Sequence, residues 1–386
     1  MKIIYTVDDC YNESAGPSYS VPGMCHAVTL NGAEAHLHTS GLLPPKKIAF
    51  DFNAYEHKRD LFPWPNLFPS RSMKEGLRED CANADIVHAN TVWRLPTVYA
   101  NMARRGTGAK LVLSPRGALS AVARHRSWWK KWMAMRMGVA DVLRETDMFH
   151  VTSPKERDEV RELGYKQPIM FVPVGIDVPE LAGGLVGDVS GSGSCGRRVI
   201  AFFGRVHVTK ACDHLVQAWG EVCDRFPDWE VQIAGPDCGA IPGLKSLIAQ
   251  RRIPRVSFVG ELHGKDKFEF LTKADLYCLP SLTENFGITI AEALACGTPV
   301  IASYGSPWPG LEQHECGWWL PIGPDALANQ LDETLAMPIE ALRAMGQRGR
   351  EWMKRDYSWQ GVGRQLLEGY RWIRDPEHLP KPSFVF

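Results

Sequence analysis

The sequence predicts an α/β protein built from two doubly wound, Rossmann-like domains that face a central cleft. Three observations carry this. The chain has 386 residues, and at roughly 150 residues per domain that length suits two domains. Its second half alternates short apolar runs with amphipathic stretches, the pattern of βαβ units on a parallel sheet. Between the halves, Leu181-Ala-Gly-Gly-Leu-Val-Gly-Asp-Val-Ser-Gly-Ser-Gly-Ser-Cys-Gly196 has the composition of a flexible linker. The expected divisions are 1–178, an N-terminal Rossmann-like domain; 179–198, the linker; 199–356, a C-terminal Rossmann-like domain; and 357–386, a C-terminal helix and tail packing back on the first domain.

In chain order, the first half offers strands at 3–7, 35–39, 47–51, 85–89, 110–114, 148–152 and 169–172. Each is short and apolar, as a strand buried on both faces must be. The second half offers strands at 199–203, 230–234, 256–259, 276–279 and 299–302, with helices at 213–226, 265–273 and 288–296 between them. Trp318 and Trp319, after Gly317, read as core of the second domain, with sugar stacking as the alternative; a helix at 325–335 follows. Residues 341–373 are helical in pattern, broken near Asp356-Tyr357-Ser358, and the Pro-rich tail 376–386 runs along the surface.

Composition narrows the function. Lys+Arg and Asp+Glu both number 44, so no global charge draws the chain to nucleic acid, and any membrane attraction must be local. No run of about 18 apolar residues suggests a membrane span. The N-terminus, with Asp8 and Asp9 after a short apolar run, does not read as a signal peptide. The ten cysteines are scattered without a C-x-x-C pair, so zinc has little support and reduced thiols in the cytoplasm are expected.

Two segments carry chemistry. In Pro280-Ser-Leu-Thr-Glu-Asn-Phe-Gly-Ile-Thr-Ile-Ala-Glu292, a polar loop joins a buried strand to a helix beginning near Gly287. Free backbone N–H groups and the positive end of a helix dipole make such a junction an anion site. Glu284 and Glu292 can each accept two sugar hydroxyls. The plainer alternative makes Glu284 a helix cap and Glu292 a solvated acid. In Phe203-Gly-Arg-Val-His-Val-Thr-Lys210, Arg205 and Lys210 stand at a strand's carboxyl end, placed to hold a diphosphate. The alternative is two solvated cations.

Together these segments resemble retaining GT-B glycosyltransferases of family 4, also called group 1, and in particular those that build bacterial surface polysaccharides. That family carries G-R-x-x-x-x-K followed by E-x7-E, here Gly204-Arg205…Lys210 and Glu284…Glu292. Further likenesses occur in family order: Asn31 to His36, Asp85 to His88, Val172-Pro-Val-Gly-Ile-Asp177, Ile233 to Pro236, Val256 to Glu261, and Ser358-Trp359. The resemblance implies a metal-independent, retaining hexosyltransferase. Arg205 and Lys210 would hold the diphosphate of a UDP- or GDP-linked sugar and Glu292 its ribose. Glu284 would meet the transferred sugar, with Gly204 and the backbone of Asn285, Phe286 and Gly287 completing the donor site. No cofactor is implied. The acceptor would be a glycan or lipid-linked hydroxyl in lipopolysaccharide O-antigen or exopolysaccharide synthesis.

Some positions depart from the pattern. Ala211 stands where a glycine usually follows the lysine, and Val174 where the family has Asn. The N-terminal glycine loop reads Gly16-Pro17-Ser18, with Gly16 and Ser18 as acceptor-side candidates. Arg116, in Ser114-Pro-Arg-Gly-Ala118, stands where many relatives have a histidine facing the sugar. It suits an acidic sugar or a phosphate on the acceptor; the alternative is a solvated residue in a turn set by Pro115 and Gly117.

The segment 124–136, Arg-His-Arg-Ser-Trp-Trp-Lys-Lys-Trp-Met-Ala-Met-Arg, holds five Lys/Arg, three Trp and no acid. Read as one helix it places Trp128 and Trp132 on a shared face. Arg126, Trp128, Lys130, Lys131 and Trp132 then describe contact with an anionic membrane, placing the protein on the inner face of the plasma membrane. The alternative packs the Trp stripe into the domain. Competing readings of the whole chain are a nucleotide-sugar epimerase, a phosphorylase, and a non-catalytic sugar-binding partner of a polysaccharide assembly.

Overall fold

The computed structural model describes residues 1–10, 16–41, 51–60, 67–125, 127–180 and 196–386. Residues 181–195 of the linker expected at 179–198, residues 47–50 of one expected strand, and Arg126 lie outside the described residues. The chain forms two compact units, Met1–Gly175 with Trp359–Phe386, and Ile176–Ser358.

Unit 1 runs β1 (Lys2–Val7), α1 (Gly16–Thr29), β2 (Glu34–Thr39), β3 (Asn53–Glu56), α2 (Arg71–Asp80), β4 (Ile86–Asn90), α3 (Leu95–Arg104), β5 (Lys110–Ser114), α4 (Ala121–His125), α5 (Trp128–Ala134), α6 (Ala140–Glu145), β6 (Met148–Val151), α7 (Pro154–Glu162) and β7 (Ile169–Phe171). Unit 2 follows with β8 (Arg198–Phe203), α8 (Cys212–Val222), β9 (Trp229–Ala234), α9 (Ile241–Arg251), β10 (Val256–Gly260), α10 (Gly264–Lys273), β11 (Leu276–Leu279), α11 (Ile288–Ala295), β12 (Val300–Ser303), α12 (Gly310–Gln313), β13 (Gly317–Leu320), α13 (Pro324–Leu335) and α14 (Ile339–Asp356); α15 (Trp359–Arg374) returns to unit 1.

Both sheets are parallel and doubly wound, ordered β3-β2-β1-β4-β5-β6-β7 and β10-β9-β8-β11-β12-β13. The winding reverses between β1 and β4 in unit 1 and between β8 and β11 in unit 2. At such a switch point the loops diverge and open a crevice beyond the strand ends. Core strands are near-continuous apolar runs, as helices on both faces require: Ile3, Ile4, Tyr5, Val7 in β1 and Ile200, Ala201, Phe202 in β8 are buried.

Helix α15 is fixed by a ring between glycines. Trp359 is buried, and a Cβ built on Gly23 of α1 or on Gly175 would come within 2.2 and 2.1 Å of its indole. Farther along, Tyr370 enters a buried hydrogen-bond chain: Tyr5 Oη–Tyr370 Oη 3.0 Å, Tyr370 Oη–His88 Nδ1 2.5 Å, His88 Nε2–Ser114 Oγ 2.7 Å, Ser114 Oγ–His150 Nδ1 2.7 Å, His150 Nε2–Val172 O 2.9 Å.

Several elements differ from expectation. The strand beside β2 lies at Asn53–Glu56, past the apolar run read at 47–51. The helix read as 213–226 ends at Val222. Gly317–Leu320 is an additional strand at the sheet edge, with Trp318 and Trp319 half-buried there. Gly317 is required because a Cβ would lie 2.1 Å from Val300 O of the neighbouring strand. The single helix read at 124–136 is two, broken at Ser127, whose φ of 55° is left-handed. A π turn, Met135–Val139, then leads into α6.

Candidate functional site

The strongest convergence of sequence-predicted residues is at the switch point of unit 2. Strand β8 ends at Phe203, and the chain turns through Gly204 at φ 146°. A second glycine lies against it: a Cβ on Gly235, φ 135°, would sit 1.9 Å from Gly204 O. Only glycine permits both that approach and that φ. Arg205 is exposed on the resulting loop. The chain then closes a single turn, Val208–Lys210, and leaves it through Ala211 at φ 49°. A non-glycine residue in left-handed backbone costs about 1–2 kcal/mol, so α8 starts under strain at Ala211.

That turn aims Lys210 at the loop following β11. Lys210 Nζ donates to Glu284 Oε1, and Ser281 Oγ donates to the same oxygen at 2.7 Å. Backbone bonds tie the loops together: Leu282 N to Thr209 O, 2.9 Å, and Glu284 N to Gly305 O, 2.7 Å. Gly305 has no room for a side chain, since a Cβ would lie 2.1 Å from Ser281 O. Tyr277 Oη donates to Phe203 O (3.0 Å) or Thr289 Oγ1 (2.7 Å), bracing the end of β8 against the first turn of α11.

Helix α11 begins after Gly287, φ 83°, with no side chain capping it. Glu284 therefore does not cap the helix; its carboxylate is committed to Lys210 and Ser281. Phe286 is buried against Trp308, ring centroids 5.3 Å apart, and Trp308 Nε1 donates to Phe286 O. Asn285, Phe286 and Gly287 thus lead directly into a helix N-terminus, where backbone N–H groups suit an anion.

Glu292 is not a solvated acid. It is 3% exposed and its Oε1 accepts from Lys267 Nζ of α10 at 2.6 Å. Burial pushes its carboxyl up, Lys267 pulls it back, and Asp177 adds a smaller push upward. Sequence reasoning missed Lys267, Ser281, Gly305 and Tyr277. Each is ordinary in its own segment and acquires its role only by meeting another loop.

In unit 1 the candidates are more dispersed. Gly16 is the first residue of α1, and Ser18 is buried with Oγ donating to Asp9 O at 3.3 Å, which spends the hydroxyl locally. Arg116 is half-buried at the end of β5 with φ 56°, not solvated in an open turn. At the switch point, Asp8 is 6% exposed and bound by Thr91 Oγ1 and by Arg94 Nε at 3.1 Å. Burial lifts its carboxyl to about 6, against the pull of Arg94.

Trp128, Trp129 and Trp132 are 69%, 47% and 54% exposed, so the α5 stripe does not pack into the domain. Lys130 is exposed beside them; Lys131 Nζ donates back to Ala123 O of α4. Among the described residues no helix is long and apolar enough to cross a membrane.

Comparison with known proteins follows the same division. Residues 194–352 match the family model described as glycosyl transferases group 1, and residues 67–175 match a glycosyl transferase 4-like domain. The chain is 26% identical over 355 residues to a GDP-mannose-dependent monoacylated α-(1-6)-phosphatidylinositol monomannoside mannosyltransferase of Corynebacterium glutamicum, covering 88% of this chain and 87% of that protein. It is 33% identical over 183 residues to a D-inositol 3-phosphate glycosyltransferase of Salinispora tropica, a match spanning 45% of this chain and only 38% of the relative's length. In structure it is similar to HepE of Anabaena in complex with UDP (TM-score 0.75, 17% identity, 96% of this chain and 100% of that one). It is also similar to WaaG, a glycosyltransferase involved in lipopolysaccharide biosynthesis (TM-score 0.70, 14% identity, 95% and 98%). At these identities the structural likeness establishes the GT-B fold.

Proposed function

The chain belongs to the group 1 glycosyltransferases of GT-B fold, and we propose that it moves a hexose from a UDP- or GDP-linked sugar to a hydroxyl of a glycan or lipid-linked acceptor, retaining the anomeric configuration without a metal. The observation that carries this reading is the convergence of Arg205, Lys210, Glu284 and the N-terminus of α11 at the switch point of unit 2.

In this reading Arg205 and Lys210 hold the diphosphate, helped by the close backbone approach at Gly204 and the N–H groups of Asn285 to Gly287. Glu292, oriented by Lys267, accepts the ribose hydroxyls. A diphosphate beside Lys210 competes for its ammonium and leaves Glu284 for hydroxyls of the transferred sugar. As the anomeric C–O bond breaks, its electron pair passes to the diphosphate, and preorganised cations stabilise that charge. The acceptor oxygen bonds to the same face of the anomeric carbon, and its proton passes to a donor phosphate oxygen. The relatives' names support both nucleotides, one being GDP-mannose-dependent and another bound to UDP. The role we assign is bacterial surface-polysaccharide assembly, lipopolysaccharide O-antigen or exopolysaccharide, at the inner face of the plasma membrane. The α5 tryptophans and their basic neighbours support that placement.

The test is a metal-free thermal-shift panel of UDP, GDP, ADP and their sugars. A nucleotide at 100 times its Kd stabilises the folded chain by about 2.7 kcal/mol. One nucleotide should raise the midpoint, and Arg205→Ala and Lys210→Ala should abolish the rise. No rise with any nucleotide would overturn the donor assignment.

A further inference from the structure

We propose that the switch point of unit 1 is an anion site, in which Arg116 binds an oxyanion, phosphate or carboxylate, carried by the acceptor. The word acceptor rests on the function proposed above; the anion site rests on unit 1 alone.

Three arginines gather at the carboxyl edge of the unit 1 sheet, and their pairing differs. Arg94 Nε meets Asp8 Oδ2 at 3.1 Å, and Arg59 Nη2 meets Asp9 Oδ2 at 3.1 Å. Arg116, among the described residues, pairs with no carboxylate. Its Nε and Nη2 donate to Asn90 Oδ1 at 3.3 and 3.1 Å, and Nη2 lies 3.2 Å from Met24 Sδ. Asn90 is wholly buried and held by its own bonds to Thr6 O and His88 O, so it is a fixed neutral rest for the guanidinium.

Arg116 feels the charge of Glu156, but the oxygens of that carboxylate are already engaged. Oε1 accepts from Gly117 N at 2.7 Å, and Oε2 from Thr152 N at 2.9 Å and Thr152 Oγ1 at 3.3 Å. Burial, with Arg116 adding to it, disfavours protonated His88 and His150, so both rings stay neutral beside it. Arg116 is thus a half-buried cation held in place by neutral groups, and burial pushes its pKa down. A partly desolvated guanidinium gains most from an oxyanion that it can grip in a fork. The backbone is set for this: Arg116 and Thr91, at the ends of β5 and β4, sit at φ 56° and 68°. Strain of that kind persists where surrounding contacts impose it, often at ligand sites.

The test compares glycerol 3-phosphate, glucuronate and glycerol by calorimetric titration of the full chain. An Arg205→Ala/Lys210→Ala background removes the donor-side cations as alternative hosts. Glycerol 3-phosphate or glucuronate should bind measurably better than glycerol, and Arg116→Gln should weaken that anion by about 10- to 100-fold. Arg116→Lys, which keeps the charge and loses the fork, should fall between. An unchanged circular dichroism spectrum and melting midpoint check that the variants fold. Vesicles of phosphatidylglycerol and of phosphatidylcholine form the second arm. Loss in Arg116→Gln confined to phosphatidylglycerol vesicles assigns the anion to a lipid headgroup, and loss with the soluble anions assigns it to a soluble acceptor. Equal binding by Arg116→Gln and its parent in every arm would overturn the site. Failure of nucleotide binding would instead overturn the donor reading and leave this result standing.

Discussion

The two units share a doubly wound parallel sheet yet bury polarity by different means. Unit 2 buries ions in pairs: Glu292 with Lys267, and Glu284 with Lys210. None of its four histidines, His207, His214, His263 and His314, is buried. Unit 1 also pairs the buried Asp8 with Arg94, but it buries histidines as well, namely His36, His38, His88 and His150. The chain through Ser114 shows how. His150 Nε2–H donates to Val172 O, so its Nδ1 must accept from the Ser114 hydroxyl. Ser114 in turn accepts from His88 Nε2–H, and His88 Nδ1 accepts from Tyr370. Every bond is satisfied with both imidazoles neutral, and a proton added to either would point at a proton already there. The same fold therefore tolerates two kinds of buried polarity, one dependent on charge and one on its absence.

Removing a partner from each side should separate them most clearly. Glu292→Ala takes from the Lys267 ammonium, itself 15% exposed, its carboxylate partner at 2.6 Å and should destabilise unit 2 by about 3–5 kcal/mol. Glu292→Gln should do less. Its counterpart in unit 1, His150→Gln, replaces neutral hydrogen bonds and should cost about 1–2 kcal/mol. Urea melts of the three variants test the order; equal losses for Glu292→Ala and His150→Gln would erase the distinction.

Acid should act next most strongly, and chiefly on unit 1. Burial, with Arg116 adding to it, pulls His150 down to about 3. The unfolded chain binds that proton near 6.5, so stability present at neutral pH is lost as pH falls, by about 2 kcal/mol between pH 7 and 5. His88, also held low, works in the same direction. Asp8 opposes them: with its folded pKa lifted to about 6, it returns about 1 kcal/mol over the same interval. Glu292 in unit 2 is shifted upward as Asp8 is, so unit 2 gains slightly on acidification. Hydrogen exchange at the two pH values should show unit 1 amides losing protection first. Earlier loss in unit 2 would reverse the assignment.

The smallest expected effect concerns the exposed tryptophan face of α5 in unit 1. Lys130→Glu with Lys131→Glu should weaken co-sedimentation with anionic vesicles by about 30-fold, at about 1 kcal/mol for each of the two basic residues near a charged surface. Trp128→Ser should weaken it while leaving the Lys131 contact to Ala123 in place. Equal sedimentation of wild type and both variants would remove the membrane from the proposed function.

Legibility in the sequence followed how local the determinant was. Strands such as Lys110–Ser114 and Leu276–Leu279 were readable because a both-faces-buried strand is a short apolar run. The break before Trp359 was visible at Asp356-Tyr357-Ser358. The break at Ser127 was not, because basic and aromatic residues on either side continue the helical pattern across it. β13 was hidden because Gly317-Trp-Trp carries no alternation, and its place depends on contact with Val300.

By itself the sequence determined the alternation of strand and helix, the parallel sheets, and the positions of Arg205, Lys210, Glu284 and Glu292 at strand ends and a helix start. These follow from periods of two to four residues and from turn chemistry, which neighbours in the chain set among themselves. Only the tertiary structure decided that Glu292 takes Lys267, that Lys210 takes Glu284, and that Arg116 rests on Asn90. Those choices are made where loops from separate βα units meet at a sheet edge. Buried polar groups bond to whichever partner packing brings within reach, and no local pattern encodes that partner.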